Sequence, residues 1–358
     1  MDNIRLIEAY GFDALGSQAI YHAVAEEFDS ASSDTIILVS PNKPYICAGY
    51  HQDVEREIDI EACKKMGLPV TRRRVGGGAV LLDDGQVFVQ WVFKPSSLPY
   101  SIEERYVMYI APLLATYHQL GINAVYRPIN DIHVEGRKIG GTGAARIGEA
   151  EVVVGSIMFN FDGNTMAKAL KVSSEKMRDK LIGTLSEYVT SITRELHRPV
   201  DRGQVLKDYI DQVQLTLGRT IEPGKLSAKE EQALNETRQL LSNDSWVFAG
   251  PGRKVLGTRI HQDVTVHEGV HKAAGGLLRW IFIEKEGIIA DATIEGDFTI
   301  EPADIPLRLA ESLIGAPFNA TEIGQRIRQF FSLQSPAMPG LTVDDFYTAA
   351  TATLEMHA

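Results

Sequence analysis

The sequence predicts a two-domain α/β protein, with a large α/β domain over residues 1–250 and a small α+β domain over residues 251–358. Three observations predict it. Strand-like and helix-like segments alternate through the first two thirds of the chain. A polar stretch over 243–253, NDSWVFAGPGR, carries Gly and Pro251 and reads as a linker. Beyond it, strand patterns come first and helical patterns last.

The elements follow in order. Thr35–Ser40 (TIILVS) is short and β-branched, as a strand should be. Gln86–Lys94 (QVFVQWVFK) is apolar at both alternating positions, which predicts a strand buried on both faces. Glu151–Phe161 (EVVVGSIMFNF) is a further strand. Between them, Ile102, Tyr106, Ile110, Leu113 and Tyr117 recur at helical spacing and Gly121 closes the stripe. Val205, Tyr209, Val213 and Leu217 repeat the pattern before Gly218. Ser227 to Glu230 fits a capping box. In the small domain, Val264 and Val266 alternate with polar residues. Leu277–Ile283 and Ile288–Ile294 read as paired strands around Glu284–Gly287. Asp304, Thr321 and the box Thr342–Asp345 are the expected starts of three closing helices.

Composition removes several function classes. Lys and Arg number 36 against 47 Asp and Glu, a net charge of -11, so a general nucleic-acid binder is not expected. The 2 cysteines, Cys47 and Cys63, are too few for a disulfide framework or a Cys-rich zinc site. They read as buried small hydrophobes. The first ten residues lack the apolar run of a signal peptide, and no stretch has the length of a membrane span. A cytoplasmic protein acting without membrane contact is the expectation. His261, His267 and His271 suggest a metal cluster, but no helix brings them onto one face, so a strand edge is the better reading.

Two segments carry chemistry. In Arg72-Arg-Arg-Val-Gly-Gly-Gly-Ala-Val80, basic residues end a strand and three glycines follow. Such a turn lets backbone N–H groups approach a carboxylate or phosphate, although a plain Gly-rich hairpin has the same signature. In Asn130-Asp-Ile-His-Val-Glu-Gly-Arg-Lys138-Ile-Gly-Gly-Thr-Gly143, Glu135-Gly136 signals a hairpin turn. The hairpin sets Asp131 near Lys138, beside an expected second Gly-rich turn over Gly140–Gly143. A carboxylate, an ammonium group and backbone donors then converge, as acyl-phosphate chemistry requires. A surface hairpin with an ordinary ion pair is the simpler alternative.

RRRVGGGAV, NDIHVEGRKIGGTG and VVVGSIMFNFD, in that order, resemble the three signatures of the lipoate–protein ligase A family, relatives of the biotin protein ligases. The likeness runs from about Asp13 to Trp246. The segments KAAGGLLRW and GIIADATIEGDF, and the helix ending at Leu313-Ile-Gly315, are similar to that family's accessory domain. The resemblance implies a mixed β-sheet flanked by helices in a biotinyl/lipoyl-synthetase-like large domain. It implies activation of lipoate by Mg²⁺ and ATP to lipoyl-AMP, then transfer to a lysine of a lipoyl carrier protein, by an enzyme acting as a monomer. By position, Arg73 is the ligand-binding arginine, and Gly76, Gly77 and Gly78 form the backbone cradle. Val80 and Leu81 offer main-chain groups to adenine. Lys138 is the catalytic lysine. Asn130 and Asp131 stand beside the phosphates, with Asp131 toward Mg²⁺. Gly155 and Ser156 line the acyl tunnel, placed near Val92, Val154 and Met158.

The chain departs from the family pattern at Val154 and Leu82, where histidines are usual, and at Gly140, where serine is usual. These changes leave the carrier and the choice of lipoate or octanoate open. The rivals are a biotin protein ligase, an ATP-independent octanoyl or lipoyl transferase using a cysteine, and a lipoate-binding protein without transfer. The family further implies that the small domain moves between the two steps.

Overall fold

The computed structural model describes residues 3–248 and 264–355. The chain forms two compact units. The first holds Met1–Ala48, Val54–Arg73 and Ala79–Val247; the second holds Gly49–Asp53, Arg74–Gly78 and Phe248–Ala358. Among the described residues no helix is long and apolar enough to cross a membrane.

The strands of the first unit are β1 (Ile4–Phe12), β2 (Thr35–Pro41), β3 (Tyr45–Ala48), β4 (Val70–Arg72), β5 (Val80–Leu82), β6 (Gln86–Phe93), β7 (Val125–Arg127), β8 (Asp131–Val134), β9 (Arg137–Ile147), β10 (Ala150–Met158) and β11 (Ile221–Pro223). Eight of them make one sheet in the order β11-β1-β2-β6-β10-β9-β8-β7. β1 runs parallel to β2 and β11, and the remaining neighbours are antiparallel, so the sheet is mixed, as expected. The other three form a small sheet, β4-β3-β5.

Helices cover the large sheet on both faces, which explains why every residue of β6 is buried. On one face lie α2 (Ile102–Gln119) and α3 (Arg202–Leu217). The predicted stripe Tyr106, Ile110, Leu113 and Tyr117, with Val205, Tyr209 and Val213, packs onto Val87, Val89, Trp91 and Phe93. Trp91 Nε1 donates to Tyr209 Oη at 3.0 Å, so the indole is buried without an orphan donor. On the other face lies α1 (Ala14–Glu26), capped by Asp13, whose carboxylate accepts from Gly16 N. Gln90 of β6 reaches it through Nε2, 3.2 Å from Ser17 O.

The expected linker begins differently. Asp244–Val247 is a short helix, and Trp246 Nε1 donates to Arg72 O at 2.9 Å. Arg72 is itself buried and answers through Nε to Val247 O at 3.1 Å. An aromatic donor and a guanidinium thus hold this segment in the first unit. Residues 249–253 of that stretch lie outside the described residues.

The second unit is built on an antiparallel sheet of β12 (Val264–Ala273), β13 (Gly276–Lys285) and β14 (Ile288–Gly296). Leu278, Trp280 and Phe282 alternate along β13 and meet Ile305, Leu309, Ile323, Ile327 and Phe346 from the helices Ile305–Leu313, Ala320–Leu333 and Val343–Glu355. Thr342 and Asp345 form the predicted box, with Asp345 N to Thr342 Oγ1 at 3.2 Å and Thr342 N to Asp345 Oδ2 at 2.7 Å. The middle helix is capped by Asn319, not Thr321: Asn319 Oδ1 accepts from Glu322 N at 3.0 Å. Asparagine in the extended region here supplies a better cap than a threonine already inside the helix. His271 pairs with Asp345 at 2.8 Å, and His267 is buried 3.6 Å from Glu284. His261 lies outside the described residues, and no group of metal-ligating side chains occurs among those described.

Candidate active site

The second Gly-rich segment is not a turn. Gly140–Gly143 lies inside β9, which runs unbroken from Arg137 to Ile147. The turn sits earlier, at Glu135 (φ 48) and Gly136 (φ 84), two positive φ values that suit a tight hairpin. Asp131 pairs with Gly141, Ile132 with Gly140, His133 with Lys138 and Val134 with Arg137. The register therefore skips Ile139, which is an extra residue on β9. Ile139 is fully buried in the core with Ile132 and Val134. The bulge turns Lys138 to the opposite face, beside Asp131 and Gly141. Strict alternation would have aimed Lys138 into the core.

On that face Lys138 Nζ lies 2.7 Å from Asp131 Oδ1. Lys138 is 34% exposed and Asp131 21%, so the pair is open to a ligand and contributes little to stability. Gly141 makes room for it. A Cβ built there would stand 3.0 Å from Lys138 Nζ and 3.3 Å from Asp131 Oδ1. His133 is buried behind the pair, with Nε2 3.7 Å from Asp131 Oδ2 and Nδ1 on Gly136 O at 3.2 Å. Asn130 anchors the start of the hairpin to β9. Its Nδ2 donates to Thr142 O at 2.5 Å, and its carbonyl accepts from Thr142 N at 2.8 Å.

The far end of the hairpin is clamped from outside. Thr190 N donates to Lys138 O at 2.9 Å. Arg137 grips Glu195 of the helix Ile192–Leu196 with Nε at 3.2 Å and Nη2 at 3.0 Å, and Thr190 Oγ1 donates to the same carboxylate. Burial opposes the Glu195 charge, yet the bonds from Arg137 and Thr190 outweigh it and hold its carboxyl below the usual range.

Gly155 and Ser156 serve opposite faces of β10. The missing side chain of Gly155 faces α2, where a Cβ would meet Gly141 O at 2.9 Å and Tyr109 Oη at 3.0 Å. Ser156 shares the Lys138 face through the register of β9 and β10. Its hydroxyl donates to Gln86 Oε1 at 3.2 Å, and Gln86 Nε2 donates to Leu81 O at 3.1 Å. Gln86 thus couples Ser156 to β5, where Val80 faces Cys47 and Leu81 faces Ile46 across the small sheet. Arg73 follows β4; its N donates to Ala48 O and its Nη1 to Cys47 O, both at 3.1 Å. Both cysteines are buried and free. Burial raises the Cys47 thiol despite Arg73 nearby, and burial with Asp59 raises Cys63 to about 11.

The glycine triple belongs to the second unit. Gly76 packs so close that a Cβ would stand 2.4 Å from Phe298 O. Gly77 has φ +91, and its N–H points to Phe298 O at 3.4 Å. Gly78 has room: a Cβ there would stand 3.9 Å from Asp297 Cβ.

Gln86, His133, Ile139 and Glu195 carry no sequence signal of a site role, and Gly141 carries one only as part of an expected turn. A bulge is invisible to periodicity over so short a strand, and the glutamate becomes adjacent only through folding.

Residues 13–214 match the lipoyl protein ligase A/B catalytic domain. The chain belongs to that family. It is 28% identical over 293 residues to a lipoate–protein ligase of Streptococcus pyogenes, covering 78% of this chain and 81% of that one. It is 27% identical over 262 residues to the octanoyltransferase LipM of Kyrpidia tusciae, covering 65% of this chain and 95% of that one. Among solved structures, a bi-partite lipoate protein ligase from Thermoplasma acidophilum, described with its E2 lipoyl domain, superposes with TM-score 0.63 at 24% identity over 71% of this chain and 98% of that one. A lipoate-protein ligase A bound with ATP gives TM-score 0.59 at 22% identity over 69% and 99%. The two structures share the fold of the large domain.

Proposed function

We propose that this enzyme is an ATP-dependent lipoate–protein ligase. The observation that carries the reading is the Lys138–Asp131 pair, aimed by a bulge onto the face where Gly141 leaves it space. In the first step a lipoate carboxylate oxygen bonds to the α-phosphorus of ATP and pyrophosphate leaves, giving lipoyl-AMP. In the second, a carrier lysine amine bonds to the acyl carbon, AMP leaves and the amine loses a proton. Both steps build negative charge on oxygens around one acyl-phosphate junction. A fixed ammonium beside that junction lowers both barriers, because it need not reorganise as the charge develops. Asp131 holds Lys138 in place until substrate arrives.

The donor set also suits Mg²⁺ entering with the nucleotide. Mg²⁺ is typically held by one or two carboxylates and the substrate phosphates. Asp131 offers one carboxylate, and no multi-residue ligand cage occurs among the described residues. Asp131, with Asn130 beside it, would hold the ion, which would neutralise phosphate charge.

Arg73, the backbone of Gly76, Gly77 and Gly78, and the main chain of Val80 and Leu81 take nucleotide and acyl binding on the family likeness. Ser156 lines the acyl path, and Gly155, whose side-chain position faces α2, joins it only through its backbone. The partner is a lipoyl domain or a related carrier, served by a cytoplasmic monomer whose catalytic domain covers 1–250 and whose accessory domain covers 251–358.

An octanoyltransferase is the competing reading, since several relatives bear that name. Transfer through cysteine needs an accessible thiolate. Cys47 and Cys63 are buried with raised thiols, which speaks for the adenylate route. Pyrophosphate exchange decides between them. Lipoate-dependent incorporation of labelled pyrophosphate into ATP is expected, together with a lipoyl mass increment on a carrier. Transfer from an acylated carrier with no ATP requirement would refute the ligase reading.

A further inference from the structure

Gln90 lies in the middle of the large sheet, opposite Ile37 of β2 and Val154 of β10. It is 1% exposed. Its Nε2 donates to Ser17 O at 3.2 Å. A carbonyl only accepts, so the amide nitrogen has to be the atom on Ser17. The amide oxygen is then fixed elsewhere, and it is buried with no hydrogen-bond partner among the described residues. A buried acceptor without a donor is destabilising, and a glutamine is retained in a core strand only at that cost. Apart from Gln86, whose amide is paired at both ends, the rest of β6 is apolar, with Val87, Phe88, Val89, Trp91, Val92 and Phe93 all buried.

The surface beside Gln90 is not closed. Val154, Ser156 and Met158 share its face and are half-buried, although β10 is central in the sheet. A central strand under a helix is normally buried throughout, as β6 is. On the neighbouring strand, Gly143 stands opposite Val154, and Gly141 lies two residues further toward Lys138. Glycines at both positions leave that face low. The strip therefore runs from the Lys138 ammonium over Gly141, Ser156, Gly143 and Val154 to Gln90. From β9 to β6 it crosses two strand spacings, about 10 Å. Its near end is charged, its floor is small or apolar, and at its far end lies Gln90, whose amide oxygen has no donor among the described residues.

We infer that Gln90 selects the acyl group by its distal end: the substrate carries a hydrogen-bond donor there, a thiol or a hydroxyl, and a plain alkanoyl chain is disfavoured. This rests on the acyl-activating reading of the same site. A lipoyl chain in its dithiol form supplies S–H donors, whereas the cyclic disulfide and octanoate supply none. A polar site that loses its partner discriminates more strongly than an apolar pocket that loses a methylene.

The test is the rate of acyl-AMP formation by the full chain with Mg²⁺ and ATP. The acids are dihydrolipoate, lipoate, 8-hydroxyoctanoate and octanoate, compared by kcat/KM under anaerobic conditions. The wild-type protein is expected to favour the hydroxy acid over octanoate, and the dithiol over the disulfide, by about tenfold or more. Gln90→Leu and Gln90→Met should bring both ratios close to one, chiefly by losing the donor-bearing acids. Ratios near one in the wild type, as a trapped water satisfying Gln90 would give, overturn the inference. So do ratios that neither variant changes. The wild-type comparison needs no variant to fold. If no acid is activated, the ligase reading fails by itself. Calorimetric titration with 8-hydroxyoctanoate and octanoate then judges Gln90 separately: tighter binding of the hydroxy acid supports it, and equal or absent binding of the two acids overturns it.

Discussion

The two glycine-rich segments look alike in sequence and do different physical work. In Gly76–Gly78, Gly76 is small because the Phe298 carbonyl occupies the space of its side chain, and Gly77 is needed for its positive φ. In Gly140–Gly143 no residue has a positive φ, and the backbone is plain strand. There Gly141 is small because a lysine and a carboxylate occupy the space above it. A missing Cβ thus secures backbone packing in one place and a side-chain ion pair in the other. The same substitution should therefore break stability in the first and activity in the second.

The largest effect belongs to the charge that the second segment accommodates. Lys138→Met is expected to lower lipoate-dependent pyrophosphate exchange on the order of 10³-fold with an unchanged melting temperature. Near-normal exchange would remove Lys138 from the chemistry. Gly141→Ala should displace the ammonium and lower the same rate on the order of 10²-fold, since small misplacements of a catalytic group are costly. Its melting temperature should stay close to wild type, because the crowded atoms belong to a flexible side chain. Gly76→Ala should behave oppositely in the unfolding experiment, losing about 1–3 kcal/mol by denaturant titration as the new methyl group meets backbone. Gly78→Ala meets only ordinary contact and should change stability by less than about 0.5 kcal/mol. Equal losses at Gly76 and Gly78 would dissolve the contrast within the triple.

A smaller effect concerns the clamp on the hairpin. The Glu195 carboxyl is held below its unfolded value, so its contribution is full above the ordinary carboxylate range. That contribution is lost as pH falls through the depressed value. Glu195→Gln should flatten the acid limb of the stability curve and leave the neutral limb shifted by a constant. An identical acid limb in both proteins would show that the clamp does not titrate with folding. Smallest of all should be Cys63→Ala at the level of chemistry: kcat for transfer to a carrier is expected to be unaltered. Loss of transfer with adenylation intact would reopen the cysteine route.

Much of the fold was legible because it rests on local pattern. The apolar run of Gln86–Lys94 can only be a strand covered on both sides, and the stripe from Ile102 to Tyr117 can only bury itself as a helix. The hairpin was legible for the same reason, since Glu135-Gly136 supplies the two positive φ values that its turn requires. Proximity of Asp131 and Lys138 follows from that turn. The reading failed where glycine was taken as a signal for bending. Gly140–Gly143 continues a strand because its partners on both sides, β8 and β10, supply the hydrogen bonds that keep it extended.

The sequence by itself determined which residues could pair across the hairpin and where the buried strand and helices lie. Only the tertiary structure decided which way the lysine points, because one unpaired residue, Ile139, reverses the alternation and that residue is drawn inward by the core beneath it. It alone also decided that Glu195 clamps Arg137 and that Gln90 ends beside a half-open strip. These are long-range juxtapositions, set by how sheets and helices stack, and no short stretch of chain contains the information to specify them.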